Sequence, residues 1–286
     1  MQLVTNSSEM QSLSLSAKKA GKTIGFVPTM GYLHEGHLSL ALAAKAENDL
    51  VVVSIFVNPT QFGPGEDFQK YPRDLQRDSV MAEQAGADVL FCPSVEDMYP
   101  EGFSTYVEET RLSNHLCGLS RPTHFRGVTT VVLKLFNIVL PDVAYFGQKD
   151  AQQALIIKRM ARDLNLLVRI EVLPIVRENE GLAMSSRNSY LSPEQRRQAT
   201  VLHEALMEAN RLVDSGERES RRIKSKMREI IASAREARVD YISFVSRDTL
   251  EDIEELRGNI LIALAVFIGE TRLIDNLELD LPSGRE

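Results

Sequence analysis

Short apolar runs alternate with longer amphipathic ones along the first two thirds of the chain, and this alternation constrains the fold more than any other feature. TIGFVPT (23–29), LVVVSIFVN (50–58), ADVLFCPS (87–94), DVAYFG (142–147) and LVRIEVLPIVR (167–177) read as strands. Their apolar residues follow one another instead of alternating with polar ones. Such strands are buried on both faces, as in a parallel sheet with helices on each side. HLSLALAAKAEN (37–48), DFQKYPRDLQRDSVMAEQAG (67–86), RGVTTVVLKLFNIVLP (126–141) and AQQALIIKRMARDLN (151–165) supply the helices, with Pro141 braking the third. The expected class is α/β with a doubly wound parallel sheet. Ligands of such sheets bind outside the carboxyl ends of the strands.

The pattern changes after about Arg177. ENEGLAMSSRNSYLS (178–192) is polar and loop-like. SPEQRRQATVLHEALMEANRLVDSG (192–216) reads as one helix with a serine cap, a proline behind it and a glycine stop. A second charged helix follows, then DYISFVS (240–246) and ILIALAVFIGETRLIDN (260–276) as strands. Helices first and strands last indicate a second, smaller α+β domain. The expected division is 1–176 and 177–286.

Composition narrows the function. A net charge of −7 over 286 residues argues against a general nucleic-acid surface or anionic-lipid docking, though not against a local basic pocket. Cys92 and Cys117 stand in no metal-type spacing and suggest a reducing compartment. The amino terminus lacks the apolar core of a signal peptide, and the longest apolar run, ILIALAVFI, is too short to span a bilayer. The expectation is a cytoplasmic protein with no nucleic-acid or membrane partner.

The chemistry-bearing residues cluster where strands end. In PTMGYLHEGHLSL the first strand gives way to a helix expected from near His37. A helix amino end carries free N–H groups and a positive dipole and suits a phosphate. His34 and His37, three apart, share one side of a first helical turn. HEGH is one residue short of the HExxH zinc spacing, and no GxGxxG is present. In FVNPTQF, Asn58 and Gln61 are neutral amides able to hold a small polar acid, or else an Asn-Pro turn. In FGQKDAQQ, Lys149 supplies a cation. Asp150 is a helix cap or a ligand of ribose or hydrated metal, and Gln153 faces the same side one turn on. Ser185, Ser186 and Arg187 of LAMSSRN suit nucleotide phosphates, or a plain linker. Arg121, His124 and Arg126 of RPTHFRG form a second basic wall or a surface turn. Asp74 and Asp78, four apart on a helix, either touch a hydrated magnesium ion or line a solvated face.

Taken together these stretches resemble a known family. PTMG-HEGH is similar to the HIGH signature of the class I synthetase and nucleotidyltransferase superfamily, and MSSRN to its looser KMSKS partner. PTMGYLHEGHLSL, FVNPTQF, RPTHFRGV, FGQKDAQQ and GLAMSSRN come in the order and spacing of the pantothenate synthetase (pantoate–β-alanine ligase) family, from about Thr23 to RLIDN. The resemblance implies a Rossmann-like amino domain, a smaller carboxyl domain acting as a lid, and a homodimer formed through the larger domain. It implies that ATP, (R)-pantoate and β-alanine give pantothenate, AMP and pyrophosphate through a pantoyl adenylate, with Mg2+ bound mainly through the ATP phosphates. It assigns ATP to Met30, Gly31, Tyr32, Leu33, His34, Glu35, Gly36 and His37, to Gly147, Gln148, Lys149 and Asp150, to Val176, and to Met184, Ser185, Ser186 and Arg187. His37 becomes the proton donor, with His34 and Lys149 beside it as catalytic groups. Gln61 and Gln153, with Asn58 near, would hold pantoate, and Gln61 would also touch β-alanine. Two other readings remain: an adenylyltransferase acting on a phosphate ester, which would want more cations, and a nucleotide sensor without turnover.

Overall fold

The computed structural model describes residues 1–282. Six parallel strands form the larger sheet: β1 (Gln2–Val4), β2 (Ile24–Thr29), β3 (Leu50–Ile55), β4 (Val89–Phe91), β5 (Val143–Gly147) and β6 (Arg169–Leu173), in the order β1-β4-β3-β2-β5-β6. The helices between them are α1 (Ser7–Lys19), α2 (Glu35–Glu47), α3 (Leu75–Gln84), α4 (Val95–Met98), α5 (Cys117–Ser120), α6 (His124–Val139) and α7 (Ala151–Asp163). Alternate strand residues go to opposite faces. Phe26, Val52, Phe91 and Ala144 pack with residues of α1, α6 and α7. Val27, Val51, Val53, Leu90 and Tyr145 pack with residues of α2 and α3. Both faces are covered, and the strands are apolar throughout for that reason.

The strand order reverses direction between β2 and β5, and a cleft is expected at that point. β2 pairs with β3 along its whole length, from Ile24↔Leu50 to Thr29↔Ile55. Against β5 it pairs only at Gly25↔Val143 and Phe26↔Ala144. Pro28, which has no N–H to give, lies beyond the last of these pairs. The two strands therefore fork at their carboxyl ends.

The second sheet is antiparallel, β7 (Ala237–Ser246), β8 (Asn259–Ile268) and β9 (Thr271–Asp280), in that order. The helices α8 (Pro193–Gln198), α9 (Val201–Asp214) and α10 (Ser220–Ala232) precede it. Ile260, Ile262, Leu264, Val266 and Ile268 of β8 join the core built on α9 and α10. Leu261 and Ala263, on the other face, pack with Leu112, Leu116, Phe125 and Ile156 of the first unit. An apolar run without polar interruptions is what a strand buried on both faces requires.

Several sequence expectations need correction. The pair β1–α1 went unread, because a three-residue strand carries little pattern. The helix expected over 67–86 starts only at Leu75. Pro72 disfavours helix before it, and Asp74 caps the new start by accepting from Arg77 N–H (3.0 Å). The helix expected over 192–216 is two helices, broken at Ala199–Thr200. The strand expected to reach Arg177 ends at Leu173, before Pro174. The helix expected from His37 begins at Glu35, with His34 at its cap position.

Candidate active site

A cleft of about 1080 Å3 opens at the fork between β2 and β5 and runs toward the second sheet. That is at the upper end for ligand sites, with room for a nucleotide and a small acid together.

The turn after β2 forms its floor. Gly31 and Tyr32 both have positive φ (84° and 51°), so the chain reverses sharply before α2. Asp78 of α3 holds that turn. Its carboxylate accepts the main-chain N–H of Tyr32 (2.6 Å) and of Leu33 (2.8 Å) and is 1 % exposed. Arg77 donates to Leu33 O (2.7 Å), and its guanidinium lies 4.9 Å from the Tyr32 ring centroid. This corrects the reading of Asp78 as magnesium ligand or solvated face: both oxygens serve backbone donors.

The two histidine rings lie against each other, 4.0 Å between centroids and tilted by 33°. Gly36 permits this, since a Cβ there would sit 3.0 Å from the His34 ring. His37 Nδ1 accepts the main-chain N–H of His34 (3.3 Å), which leaves the ring proton on Nε2. Burial, then the Lys149 charge, lowers the His37 pKa to about 4. Burial, then His37 and Lys149, lowers His34 to about 2. Both rings are neutral at neutral pH, and each can donate a hydrogen bond without net charge.

Lys149 follows β5 and carries the positive charge of this wall, with Asp150 at 3.4 Å. Its backbone is clamped from the second sheet. Asn276 of β9, buried, donates to Gln148 O (2.9 Å) and Lys149 O (3.0 Å). Gln148 Nε2 returns a bond to Asn276 Oδ1 (3.0 Å). Gln148 thus serves the joint between the sheets rather than the cleft wall. Beside Asn276, Asp275 forms a two-bond ion pair with Arg177 (2.6 and 3.0 Å).

The amides lie opposite. Asn58 donates to Gln61 Oε1 (3.1 Å) and Gly127 O (3.1 Å) and accepts from Tyr99 OH (2.8 Å). Asn58 is 1 % exposed and does not line the cleft; it orients Gln61. With its oxygen held, Gln61 turns its NH2 toward Met30 Sδ (2.9 Å) on the cleft wall. Gly127 lets the Pro59–Gln61 turn lie flat on α6, since a Cβ there would meet Thr60 O at 2.4 Å. In α7 both Gln152 and Gln153 border the cleft, but the Gln152 amide is consumed by Leu112 O, His115 O and Cys117 N–H.

The Met184–Arg187 segment closes the remaining side. Ser186 Oγ donates to Tyr32 O (3.1 Å), and Met184 N–H to Val176 O (3.0 Å). Arg187 pairs with Asp67 through two bonds of 2.8 Å. Burial tends to raise the Asp67 pKa, but Arg187 outweighs it and holds the carboxyl below its usual range.

Of the other residues singled out from sequence, Gly36, Gly147, Asp150, Val176 and Ser185 line the cleft. Leu33 is buried, Glu35 is exposed, and Gly31, Tyr32 and Leu33 contribute through the turn. Arg121 and His124 line the cleft, whereas Arg126 stacks on Tyr106 at 4.1 Å. Cys117 also reaches the cleft, its Sγ near Tyr241 OH (3.3 Å) and Arg272 Nη2 (3.6 Å). Cys92 is half-buried, its thiol pushed up to about 11 by burial. Arg77, Glu66 and Asn276 were missed. Each acts through a partner distant in sequence and leaves no local signal.

The arrangement offers two neutral imidazoles, one lysine and a helix amino end on one side, and oriented amides on the other. That set can hold a polyphosphate against a small hydroxylated acid. The sequence pattern of the Pantoate-beta-alanine ligase family matches residues 2–278. The chain is 58% identical over 277 residues to a pantothenate synthetase of Fervidobacterium nodosum, covering 97% of this chain and 99% of that protein. It resembles the crystal structure of pantothenate synthetase from Thermus thermophilus with a TM-score of 0.91 and 45% identity, covering 97% of this chain and 99% of that one. It also resembles the pantoate-beta-alanine ligase of Francisella tularensis, complexed with beta-gamma ATP and beta-alanine, with a TM-score of 0.80 and 40% identity, covering 97% of each chain.

Proposed function

The chain belongs to the pantoate–β-alanine ligase family, and from that premise we propose how its cleft performs the family's reaction. The enzyme joins pantoate to β-alanine to give pantothenate, with ATP as the driving substrate. A free carboxylate is a poor acceptor for an amine. Transfer of AMP converts it into a mixed anhydride with a good leaving group. In the first step the pantoate carboxylate attacks the α-phosphorus and pyrophosphate leaves. Charge then grows on phosphate oxygens, where His37 Nε2–H, His34, the Lys149 ammonium and the first N–H groups of α2 are placed to meet it. Preorganised donors of this kind are each worth roughly 3–4 kcal/mol of barrier. Gln61 and Gln153 hold pantoate, Gln61 by the NH2 that Asn58 turns outward. In the second step the neutral amine attacks the acyl carbon and AMP leaves. There the cleft mainly aligns two bound reactants.

The acidic groups fit a Mg2+ ion carried on the nucleotide. Asp78 is occupied by backbone donors, Asp67 by Arg187 and Asp74 by its helix, while Asp150 lies on the wall beside Lys149. Such an ion would neutralise phosphate charge, and Asp150, on the cleft wall beside Lys149, is a carboxylate that could help to hold it. We place residues 1–176 as the catalytic unit and 177–286 as the lid, of which 283–286 lie outside the described residues. Family resemblance further suggests a homodimer and a cytoplasmic location; sedimentation of the purified protein tests the first. Among the described residues no helix is long and apolar enough to cross a membrane.

The observation that carries the mechanism is the meeting of the histidine pair, Lys149 and the two glutamines at one strand fork. Pyrophosphate–ATP exchange with pantoate and Mg2+, β-alanine omitted, tests it. Pantoate-dependent exchange supports an adenylate intermediate. Exchange that requires β-alanine refutes it, and ATP binding without any turnover favours the sensor.

A further inference from the structure

We propose that Arg121 binds the carboxylate of the amine substrate, and that Glu66 occupies Arg121 when the amine is absent. The inference rests on the ligase reading above. Arg121 lines the cleft beside Gln61, its Nη2 3.3 Å from Gln61 O. Its fork is already filled by a carboxylate: Nε to Glu66 Oε1 at 2.7 Å, and Nη2 to Glu66 Oε2 at 2.6 Å. A planar guanidinium held this way is a ready-made receptor for one carboxylate.

β-Alanine carries its carboxylate roughly 5 Å from its amine, by ordinary bond lengths. If the amine reaches an acyl carbon held by Gln61, its carboxylate falls within reach of a cation adjoining Gln61. Arg121 is that cation. His124 is its neighbour, with Nδ1 donating to Gln61 O (2.9 Å), and burial together with Arg121 lowers its pKa to about 4. It is neutral and reads no charge. Lys149 lies on the phosphate wall, and Arg187 faces Asp67.

Glu66 sits just after Gly63 and Gly65, the latter with a φ of 83°, and its neighbour Asp67 is tied to Arg187 by two bonds of 2.8 Å. Burial tends to raise the Glu66 pKa, but Arg121 outweighs it and the group stays ionised. An incoming carboxylate can therefore replace Glu66 like for like on the Arg121 fork.

The test compares two amines on the intact enzyme: β-alanine, and propylamine, which lacks the carboxylate. Arg121→Ala should lower kcat/KM for β-alanine by about 10- to 100-fold, the loss expected for a charged hydrogen-bonding partner, and propylamine much less. Arg121→Lys, which keeps charge but not the fork, should fall between and guards against a folding defect. Glu66→Gln should lower the KM for β-alanine. Equal slowing of both amines makes Arg121 structural, and a KM that is unchanged or higher in Glu66→Gln refutes the exchange. Absence of pantoate-dependent exchange in the wild-type enzyme would instead overturn the adenylation reading, a separate failure.

Discussion

Replacing Asp78 by alanine would expose what the turn beneath the histidines depends on. The carboxylate accepts two main-chain N–H groups, of Tyr32 at 2.6 Å and Leu33 at 2.8 Å, and is 1 % exposed. Each donor left unpaired costs roughly 1–3 kcal/mol, so the turn loses about 2–6 kcal/mol. Tyr32 sits at a φ of 51°, which a non-glycine residue adopts only when its surroundings hold it there. Hydrogen exchange at the Tyr32 and Leu33 amides measures the loss directly. Even the lower bound corresponds to about 30-fold faster exchange. Pantoate-dependent pyrophosphate exchange should drop by roughly 100-fold, because the rings ride on this turn. Asp78→Asn keeps one acceptor oxygen and should lie between. If Asp78→Ala loses activity while both amides stay fully protected, the carboxylate acts elsewhere, for instance on a metal ion. If activity and protection both persist, the turn holds itself.

Lys149→Ala should lower pantoate-dependent exchange by at least about 100-fold with the fold intact. NMR titration should also show the His37 pKa rising from about 4, since the lysine helps depress it; an unmoved pKa would separate the two groups. The His37 pKa is lower in the folded chain than its ordinary 6.5, so the folded state binds fewer protons between those values. Its stabilising effect is complete above 6.5 and lost as pH falls toward 4, by up to about 3 kcal/mol. Urea unfolding at several pH values should show His37→Gln with a shallower acid loss than wild type, and identical slopes would refute a neutral His37. Gly127→Ala would force a Cβ to 2.4 Å from Thr60 O, costing about 1–3 kcal/mol and weakening pantoate more than ATP in calorimetry. Equal weakening would mean that Gln61 does not hold the acid.

What the sequence made legible follows from range. β2, β3 and β5 declare themselves through unbroken apolar runs, and the polar groups just past them fall together because a doubly wound sheet brings those ends to one place. His34, His37, Lys149 and Gln153 needed nothing beyond that rule. Asp78 was misread because its spacing from Asp74 says helix surface, whereas its burial depends on a turn some 45 residues earlier. Asn58 looked like a substrate amide and proves to be the support of Gln61, a difference set by Gly127 in a later helix. Asp67 was taken into a helix and Glu66 passed over, because nothing local announces that Arg187 and Arg121 will claim them.

The bond from Asn276 to the Lys149 carbonyl spans 127 residues, and it has a consequence for the order in which the protein is made. Synthesis delivers the histidines, the glutamines and the lysine long before β9. A nascent chain can fold the large sheet and display the right side chains while the backbone beneath Lys149 is still unclamped. Only when residue 276 leaves the ribosome is that backbone tied down. Catalytic competence should therefore wait for β9, and a fragment ending ahead of that strand should carry the residues of the site without its geometry.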